Sequence, residues 1–415
     1  MSSKAGCTTG LAERYGAVRQ RTLELCGPLT PEDMMVQSCP EASPVKWHLA
    51  HTAWFFESFV LRPFLPGYRL FNEEFPWLFN SYYRTFAEFP EKRLRSSFSR
   101  PGLEEILRYR AHVDEGVERL LAGDAPAEAL ERVELGANHE EQHQELLLTD
   151  ILHAFFTNPL RPAYQVGELP EQAATTKLEF VAFEGGLREV GCGGEGFCFD
   201  NERPRHRVWL EPYALGGRLV TRGEYAEFMA DGGYRRPELW LSAGWDAVEA
   251  QGWQAPLYWT RGEDGWRVFT LRGEVGLAQM EDAPVSHVNY YEADAYARWA
   301  GHRLATEFEW ENAAEALPVE GNLLDAGRLL PAAARGGAAQ FYGDCWEWTA
   351  SAYLGYPGYK PLPGSLGEYN GKFMSGQMVL RGGSCATPRQ HIRASYRNFF
   401  APETRWQFSG IRLAK

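Results

Sequence analysis

The stretch Asn138-His139-Glu140-Glu141-Gln142-His143-Gln144-Glu145-Leu146-Leu147-Leu148-Thr149-Asp150 determines the N-terminal fold and carries the candidate chemistry. No proline or glycine follows it until Pro159, so the stretch predicts a helix. His139 and His143 are four residues apart and therefore lie on one helix face, about one turn apart. Two imidazoles at this spacing can bind one divalent metal ion, although a pair of satisfied or surface histidines fits the spacing too.

Length and composition indicate a globular protein of two or more domains. The chain has 415 residues, of which 44% are hydrophobic, an ordinary fraction for globular proteins. Its formal charge is 42 − 55 = −13, without a basic tract, which disfavours nucleic-acid and anionic-membrane partners. No stretch has the length and apolarity of a membrane span or signal peptide, so we expect a cytoplasmic protein that acts on small molecules.

The cysteines are odd in number and scattered, which argues against a disulfide framework. They are residues 7, 26, 39, 192, 198, 345 and 385. Cys192 and Cys198 lie in a glycine-rich turn where local pairing is possible, but free thiols are the expectation.

Periodicity divides the chain near residue 160. Residues 1–160 contain amphipathic helical patterns joined by uneven connections, which predicts an up-and-down four-helix bundle. Within it, Ser43-Pro44 has the form of an N-cap followed by proline at the first helical position. Residues 161–177 are predicted to be a linker. Residues 178–415 are rich in Gly, Trp and short apolar segments, which predicts an α+β domain with helices at 221–230 and 290–300.

A metal site on the 138–150 helix needs a third ligand from another element. His51 lies on the predicted second helix, which a bundle can place beside the fourth helix. His48 is nearly one turn from His51, so we expect only one of the two to reach the ion, with His48 hydrogen-bonded to the backbone. Three neutral imidazoles leave open positions for Fe(II) oxygen chemistry or for a Lewis-acid zinc, and ligand type alone does not choose between them.

The same residues also satisfy the H-E-x-x-H pattern of zinc peptidases, in which Glu140 would be the general base. That pattern needs a further ligand soon after the second histidine. The position six residues beyond His143 is Thr149, and Pro159 interrupts the helix. A peptidase is therefore disfavoured.

Sequence motifs in both halves resemble known families. The Trp47-His48-Leu49-Ala50-His51 segment and the H-x-x-x-H-x-E pattern at 139–145 resemble a DinB-type bundle. The second half resembles the formylglycine-generating-enzyme (sulfatase-modifying factor) domain, which has a C-type-lectin-like fold. The segments that carry this second resemblance are 220–225, 284–293, 298–311, 345–349, 380–384 and 409–413.

This domain order is similar to that of the ergothioneine-biosynthesis sulfoxide synthases. They are mononuclear non-haem iron enzymes that use O₂ to join a thiol to the imidazole C2 of Nα-trimethylhistidine (hercynine). The resemblance implies that His51, His139 and His143 hold Fe(II) and that Gln142 hydrogen-bonds the substrate imidazole.

A C-terminal loop matches the family's substrate-binding loop in form. The resemblance implies that Asn398, Phe399 and Phe400 contact hercynine, where the aromatic faces could pack against its trimethylammonium group. The alternative is that Phe399 and Phe400 are core aromatics of the lectin-like fold.

The chain departs from the family branch that uses γ-glutamylcysteine. That branch has an Asp and an Arg where this chain has Phe400 and Thr404, so cysteine is the expected sulfur donor. The γ-glutamylcysteine-using branch also has a catalytic tyrosine at the position where this chain has Leu366. We therefore assign the proton-donor role to Tyr82 or Tyr83. Arg93, in the basic group Lys92, Arg93 and Arg95, could bind the cysteine carboxylate, but a solvated charged loop explains these residues as well.

Other functions fit parts of this pattern. A selenosugar could replace cysteine in selenoneine synthesis, and a DinB-type bundle could hold zinc in a thiol transferase that does not use O₂. A non-enzymatic lectin-like binding module is a third alternative. The sequence does not indicate an oligomeric state.

Overall fold

The computed structural model describes residues 2–170, 173–194, 196–336 and 339–415. The chain forms two compact units, Met1–Asn158 with Leu362–Tyr369, and Pro159–Pro361 with Asn370–Lys415. The sequence predicted an uninterrupted second domain from residue 178. The structure differs because the short segment Leu362–Tyr369 packs with the N-terminal helices. It also differs in the predicted linker, where Tyr164 is buried and the Gln165 amide donates to the Leu271 carbonyl at 2.9 Å.

Long helices form the first unit. They are α1 (Ser2–Cys26), α2 (Val45–Phe56), α3 (Leu103–Ala122) and α4 (Ala127–Thr157). A π-helical turn, Glu57–Leu61, continues α2 into the short helix Arg62–Phe64, and Phe75–Leu78 forms another short helix. The N-cap of α2 is Pro44 rather than the predicted Ser43. The Ser43 amide instead donates to Asp150 Oδ2 at 2.8 Å, which links the start of α2 to α4.

Helix α2 is the centre of this unit, because each of its residues is buried. Its close approach to α4 depends on Gly136, one turn before His139. A Cβ at position 136 would lie 2.4 Å from Phe56 Cε1, which is a severe clash. This glycine therefore allows the helix that carries His51 to pack directly against the helix that carries His139 and His143.

A buried ion cluster fixes the rotation of α4. Glu140 is fully buried and accepts hydrogen bonds from Arg19 Nη1 of α1 and Arg110 Nη2 of α3, both at 2.8 Å. Thr22 of α1 donates to the same carboxylate at 2.7 Å. Arg110 also donates to Thr52 on α2 at 2.8 Å. The cluster therefore connects α4 to α1 and α3 directly through Glu140, and to α2 through Arg110.

The second unit combines short helices with several small sheets. The helices are α5 (Arg222–Ala230), α6 (Ser242–Gln251), α7 (Tyr290–Trp299) and α8 (Glu307–Ala314). Helices α5 and α7 are the two that the sequence predicted. Helix α8 was missed, although Thr306 and Glu309 form a capping box with hydrogen bonds of 3.2 and 2.7 Å, which is a recognisable start signal.

Strands in this unit are mostly short. They are β1 (Phe180–Phe183), β2 (Gly186–Val190), β3 (His206–Leu210), β4 (Tyr213–Gly216), β5 (Trp259–Gly262), β6 (Gly265–Thr270), β7 (Gly273–Gly276), β8 (Arg303–Leu304), β9 (Gly321–Asn322), β10 (Tyr342–Gly343), β11 (Trp346–Ala352), β12 (Met378–Arg381), β13 (Asn398–Phe400), β14 (Ser409–Gly410) and β15 (Leu413–Ala414). The larger sheets have the orders β1-β4-β15-β8, β13-β12-β11-β14 and β5-β6-β7. Strands β2 and β3 form an antiparallel ribbon, and β9 pairs with β10 in parallel.

Tryptophans and ion pairs build the core of the second unit. Trp310 and Trp346 are buried, and Trp310 Nε1 donates to Glu347 at 2.8 Å. Arg412 forms a buried ion pair with the same carboxylate at 2.7 Å. The conspicuous Trp-rich motifs therefore serve packing in this unit.

Cys192 and Cys198 form a disulfide bond. The expectation of free thiols was wrong at this pair because the glycine-rich turn brings the two Cα atoms to 6.5 Å. In the part of the chain that is described, no helix is both long enough and apolar enough to cross a membrane.

Candidate metal centre

Three histidine side chains of the first unit converge. One ring nitrogen each of His51, His139 and His143 lies within 4.8 Å of the others. His139 Nε2 and His143 Nε2 are 3.0 Å apart, close to the roughly 3 Å that separates neighbouring ligand atoms on one ion with metal–nitrogen distances of about 2.1 Å. The structure thus brings together the three imidazoles predicted as ligands.

The orientation of His51 follows from its neighbours. Its Nδ1 lies 2.7 Å from the Phe79 carbonyl oxygen. Because a carbonyl can only accept, Nδ1 carries the proton and Nε2 keeps its lone pair. The ring stacks on Trp47 and Trp54, with centroid distances of 4.4 and 5.1 Å. Aromatic packing and one hydrogen bond therefore hold Nε2 in the orientation that ligation needs.

Burial keeps the three imidazoles neutral. It lowers the pKa of His139 to about 3 and lowers those of His51 and His143 well below the ordinary value of 6.5. A neutral imidazole is the form that binds a metal, so the site is ready to accept a cation near neutral pH. His139 Nδ1 is also buried and makes no hydrogen bond to any residue within the described ranges.

The donor set fits a divalent transition metal, since three neutral nitrogens suit iron or zinc rather than Mg²⁺ or Ca²⁺. The peptidase alternative does not fit, because Glu140 bonds to Arg19, Arg110 and Thr22 in the core. Although burial opposes its ionisation, the two guanidinium groups lower the pKa of Glu140 to about 2. A carboxylate held in this way cannot act as the general base for a metal-bound water.

His48 is a residue that sequence reasoning assigned wrongly. It was expected to bond to the backbone, yet its Nδ1 lies 2.8 Å from His143 Nδ1. Its Nε2 lies 3.0 Å from Asp150 Oδ2. The i, i+7 spacing of His143 and Asp150 on one helix face was the available signal.

The segment Leu362–Tyr369 brings a further side chain to the histidines. The Tyr369 hydroxyl donates to the Gln142 amide oxygen, and its ring centroid is 5.6 Å from that of His139. The neighbouring Glu368 accepts from the backbone amide of Thr85 at 2.9 Å and from its hydroxyl at 2.6 Å. Tyr369 was not among the predicted site residues.

The predicted proton donors lie on the loop that Glu368 holds. Tyr83 is fully buried, and its ring centroid is 5.6 Å from that of Trp54, which stacks on His51. Tyr82 is half-buried and stacks on Tyr83 at 4.6 Å. Burial, with a smaller contribution from Tyr82, raises the pKa of Tyr83 well above 10. Tyr83 therefore keeps its proton throughout the physiological pH range.

The basic group at residues 92–95 divides into exposed and buried members. Arg93 is 69% exposed and pairs with Glu91. Arg95 is buried, with its guanidinium carbon 3.4 Å from the ring centroid of Trp47 and its Nη1 donating to Ser43 at 2.8 Å. Burial lowers the pKa of Arg95 to about 9. Arg95, rather than the predicted Arg93, is therefore the cation beside the aromatic wall of the histidine site.

The predicted hercynine-binding residues belong to the second unit. Asn398, Phe399 and Phe400 form β13, the edge strand of its sheet. Phe399 stacks on Tyr353 with a centroid distance of 4.0 Å, so one face of its ring is used for packing. The Asn398 side chain accepts from the Phe399 amide at 2.9 Å.

Comparison with known proteins defines the class. The DinB superfamily description matches residues 14–147, and the sulfatase-modifying factor enzyme 1-like domain matches residues 165–325 and 329–415. The chain is therefore a DinB-type helical domain with a three-histidine site, followed by a C-type-lectin-like domain.

Full-length relatives define the family. The chain is 33% identical to the hercynine oxygenase of Mycobacterium tuberculosis, and the match covers 97% of this chain and 98% of that one. It is also 33% identical, over the same shares, to the hercynine oxygenase of Mycolicibacterium smegmatis. The ergothioneine biosynthesis protein 1 of Schizosaccharomyces pombe is 26% identical over 53% of this chain and 28% of its own length. The chain belongs to the hercynine oxygenase family.

Proposed function

We propose that this enzyme is an iron(II)-dependent sulfoxide synthase that joins cysteine to the imidazole C2 of hercynine, using O₂. The observation that carries the proposal is the convergence of His51, His139 and His143 within 4.8 Å, in a chain related over its whole length to hercynine oxygenases. Small-molecule substrates also agree with the net charge of −13 and the absence of a basic tract.

The reaction balances without an external reductant. The thiol loses its S–H proton, the imidazole loses its C2–H, and a C–S bond forms, which removes two electrons. Oxidation of the sulfur to a sulfoxide removes two more. These four electrons reduce one O₂ to the sulfoxide oxygen and one water molecule.

The residues of the first unit have separate roles in this proposal. Iron(II), when bound by the three imidazoles, supplies O₂ activation and open positions for the substrates. Gln142 hydrogen-bonds the hercynine imidazole, and Tyr369, which donates to its amide oxygen, fixes the orientation of that amide. Tyr83 or Tyr82 supplies the proton that directs the sulfur toward C–S bond formation. Holding both substrates at one centre removes much of the entropic cost of their encounter.

A basic side chain of the 92–95 turn binds the cysteine carboxylate in this proposal. Arg93 was the prediction from the sequence, and the burial of Arg95 against Trp47 makes Arg95 the stronger candidate. The assignment of Asn398, Phe399 and Phe400 to the trimethylammonium group stays a prediction based on the family resemblance.

The decisive experiment combines anaerobically iron-loaded protein with hercynine and O₂, and offers cysteine and γ-glutamylcysteine in competition. We expect the cysteine sulfoxide conjugate as the main product by mass spectrometry. We expect a preference for cysteine of about tenfold or more. In this chain Phe400 and Thr404 stand where the other branch has an Asp and an Arg, so the charged groups of the glutamyl moiety have no partners there. Each lost hydrogen bond to a charged group is worth ~1.5–3 kcal/mol. A preference for γ-glutamylcysteine would reject the thiol assignment.

The same assay separates the rival functions. A zinc thiol transferase would be active anaerobically with zinc, and this result would reject the iron proposal. Product formed only with a selenosugar would indicate a selenoneine synthase. Hercynine binding without turnover, unchanged in His143→Ala, would indicate a binding module.

Replacing the proton donor should change the product rather than abolish O₂ use. We expect Tyr83→Phe or Tyr82→Phe to lower the sulfoxide yield about 100-fold, the usual scale of general acid catalysis, while oxidation of cysteine continues. Tyr68→Phe is the control, because the Tyr68 hydroxyl donates to Glu57 of the π-helical turn at 2.7 Å and not to a residue of the histidine site. Unchanged sulfoxide-to-cysteine-oxidation ratios in both tyrosine variants would remove this assignment.

A further inference from the structure

The geometry points to a relay from Asp150 through His48 to His143 that sets the tautomer and orientation of this metal ligand. His48 and Asp150 are thus positioning residues for the metal. The inference rests on the metal site of the proposed function, but it does not depend on the identity of the substrates.

Hydrogen-bond polarity fixes the direction of the relay. Asp150 Oδ2 accepts from the Ser43 amide at 2.8 Å, and it lies 3.0 Å from His48 Nε2, which must then be the donor. A histidine ligates a metal through the nitrogen that keeps its lone pair, and the nitrogen of His143 that faces His139 is Nε2. The proton of His143 is then on Nδ1, which donates to the Nδ1 lone pair of His48, 2.8 Å away. With Nδ1 accepting and Nε2 donating to Asp150, His48 connects the carboxylate to this tautomer of His143.

The lone pair lies where the metal needs it. His143 Nε2 is the atom 3.0 Å from His139 Nε2. His51 reaches the same tautomer through its bond to the Phe79 carbonyl at 2.7 Å. Ligating histidines commonly have such partners on their other nitrogen, and losing the partner typically costs 10–100-fold in metal affinity.

The residues of the relay are buried and do not form a chance contact at the protein surface. His48, His143 and Asp150 are 3%, 9% and 6% exposed. It joins α2 to α4, and the ring of Trp47 lies beside it, with its centroid 5.6 Å from that of His48 and 6.1 Å from that of His143. A buried imidazole pair of this kind without its carboxylate would leave a buried donor unsatisfied.

The test measures metal binding by the full-length apoprotein, with Co(II) as the probe and neither hercynine nor O₂ present. His48→Leu and Asp150→Ala remove the relay. We expect the Co(II) Kd to rise 10–100-fold and the visible ligand-field band to change. His48→Gln can accept from His143 and donate to Asp150, and Asp150→Asn retains an acceptor, so both should recover most of the affinity. If His48→Leu or Asp150→Ala does not fold, the Co(II) affinities of His48→Gln and Asp150→Asn are compared with that of the wild type instead.

His153→Gln is the matched control, because His153 lies further along α4 and its Nδ1 pairs with Ser38 Oγ at 2.7 Å. We expect its Kd and spectrum to equal those of the wild type. A wild-type Kd and spectrum in His48→Leu would overturn the relay. The relay would also be overturned if His48→Gln and His48→Leu lost Co(II) affinity equally and in proportion to their loss of thermal stability as apoproteins.

The two proposals fail in different ways. Wild-type protein that binds Co(II) no better than His139→Ala would reject the metal site and the relay together. Protein that binds metal through the relay but forms no hercynine product would reject only the proposed function.

Discussion

His139→Ala and His143→Ala are each expected to lose bound iron and sulfoxide formation together. Each removes one of three imidazoles whose nitrogens lie within 4.8 Å of one another. Two remaining neutral ligands hold a labile ion such as Fe(II) weakly. The loss of iron affinity should therefore exceed the 10–100-fold loss that follows removal of a hydrogen-bond partner of a ligating histidine. Iron content by metal analysis and product by mass spectrometry measure the two effects.

The control for these variants is His112→Ala. His112 lies on α3 and bonds to the Arg69 carbonyl at 3.0 Å, near the protein surface. It should retain iron and turnover. Full iron occupancy in His139→Ala or His143→Ala would contradict the ligand assignment, and full turnover without iron would contradict the proposed function as well.

Glu140→Gln is expected to cause the largest loss of stability. The amide would leave Arg110 buried without the counter-charge of Glu140 and would leave Arg19 with Asp114 as its remaining acidic partner. Breaking a buried ion pair in this way costs about 3–5 kcal/mol. Glu128→Gln is the control, because Glu128 is 60% exposed and its pair with Arg132 joins residues four apart on one helix. That pair should contribute about 0.3–0.5 kcal/mol. Urea unfolding of the apoproteins measures both values.

The pH dependence of stability gives an independent check on Glu140. Its folded-state pKa is about 2, against an ordinary value of 4.5. A depressed pKa stabilises the fold above the unfolded-state value and loses that contribution as the pH falls through the folded-state value. The difference corresponds to about 3 kcal/mol, lost between about pH 5 and pH 2. Glu140→Gln should lack this component, and equal acid sensitivity in both proteins would contradict the assignment.

Local periodicity determined much of the first unit. The run without proline or glycine after residue 138 predicted the helix that the structure has as α4, and the four-residue spacing predicted that His139 and His143 share a face. The choice of His51 came from its place on a neighbouring amphipathic helix and from the family resemblance. The second-unit motifs predicted the lectin-like fold through the resemblance, but they predicted only some of its helices.

Other features depend on contacts between residues that are far apart in the chain. His48 and His143 are 95 residues apart, and Glu140 meets Arg19 across 121 residues. Helix periodicity gives the face of each residue, but it does not give the rotation and register of one helix against another. Those are set by close packing, as at Gly136 against Phe56.

By itself, the sequence determined the two-part architecture, the helix with its paired histidines and the chemistry that such a pair permits. Only the tertiary structure decided that Glu140 belongs to the core, that His48 bridges His143 to Asp150, and that Tyr369 reaches Gln142 across 227 residues. The physical reason is that a side chain's hydrogen-bond partner is chosen by three-dimensional packing, whereas local sequence fixes only the direction in which that side chain leaves its own helix.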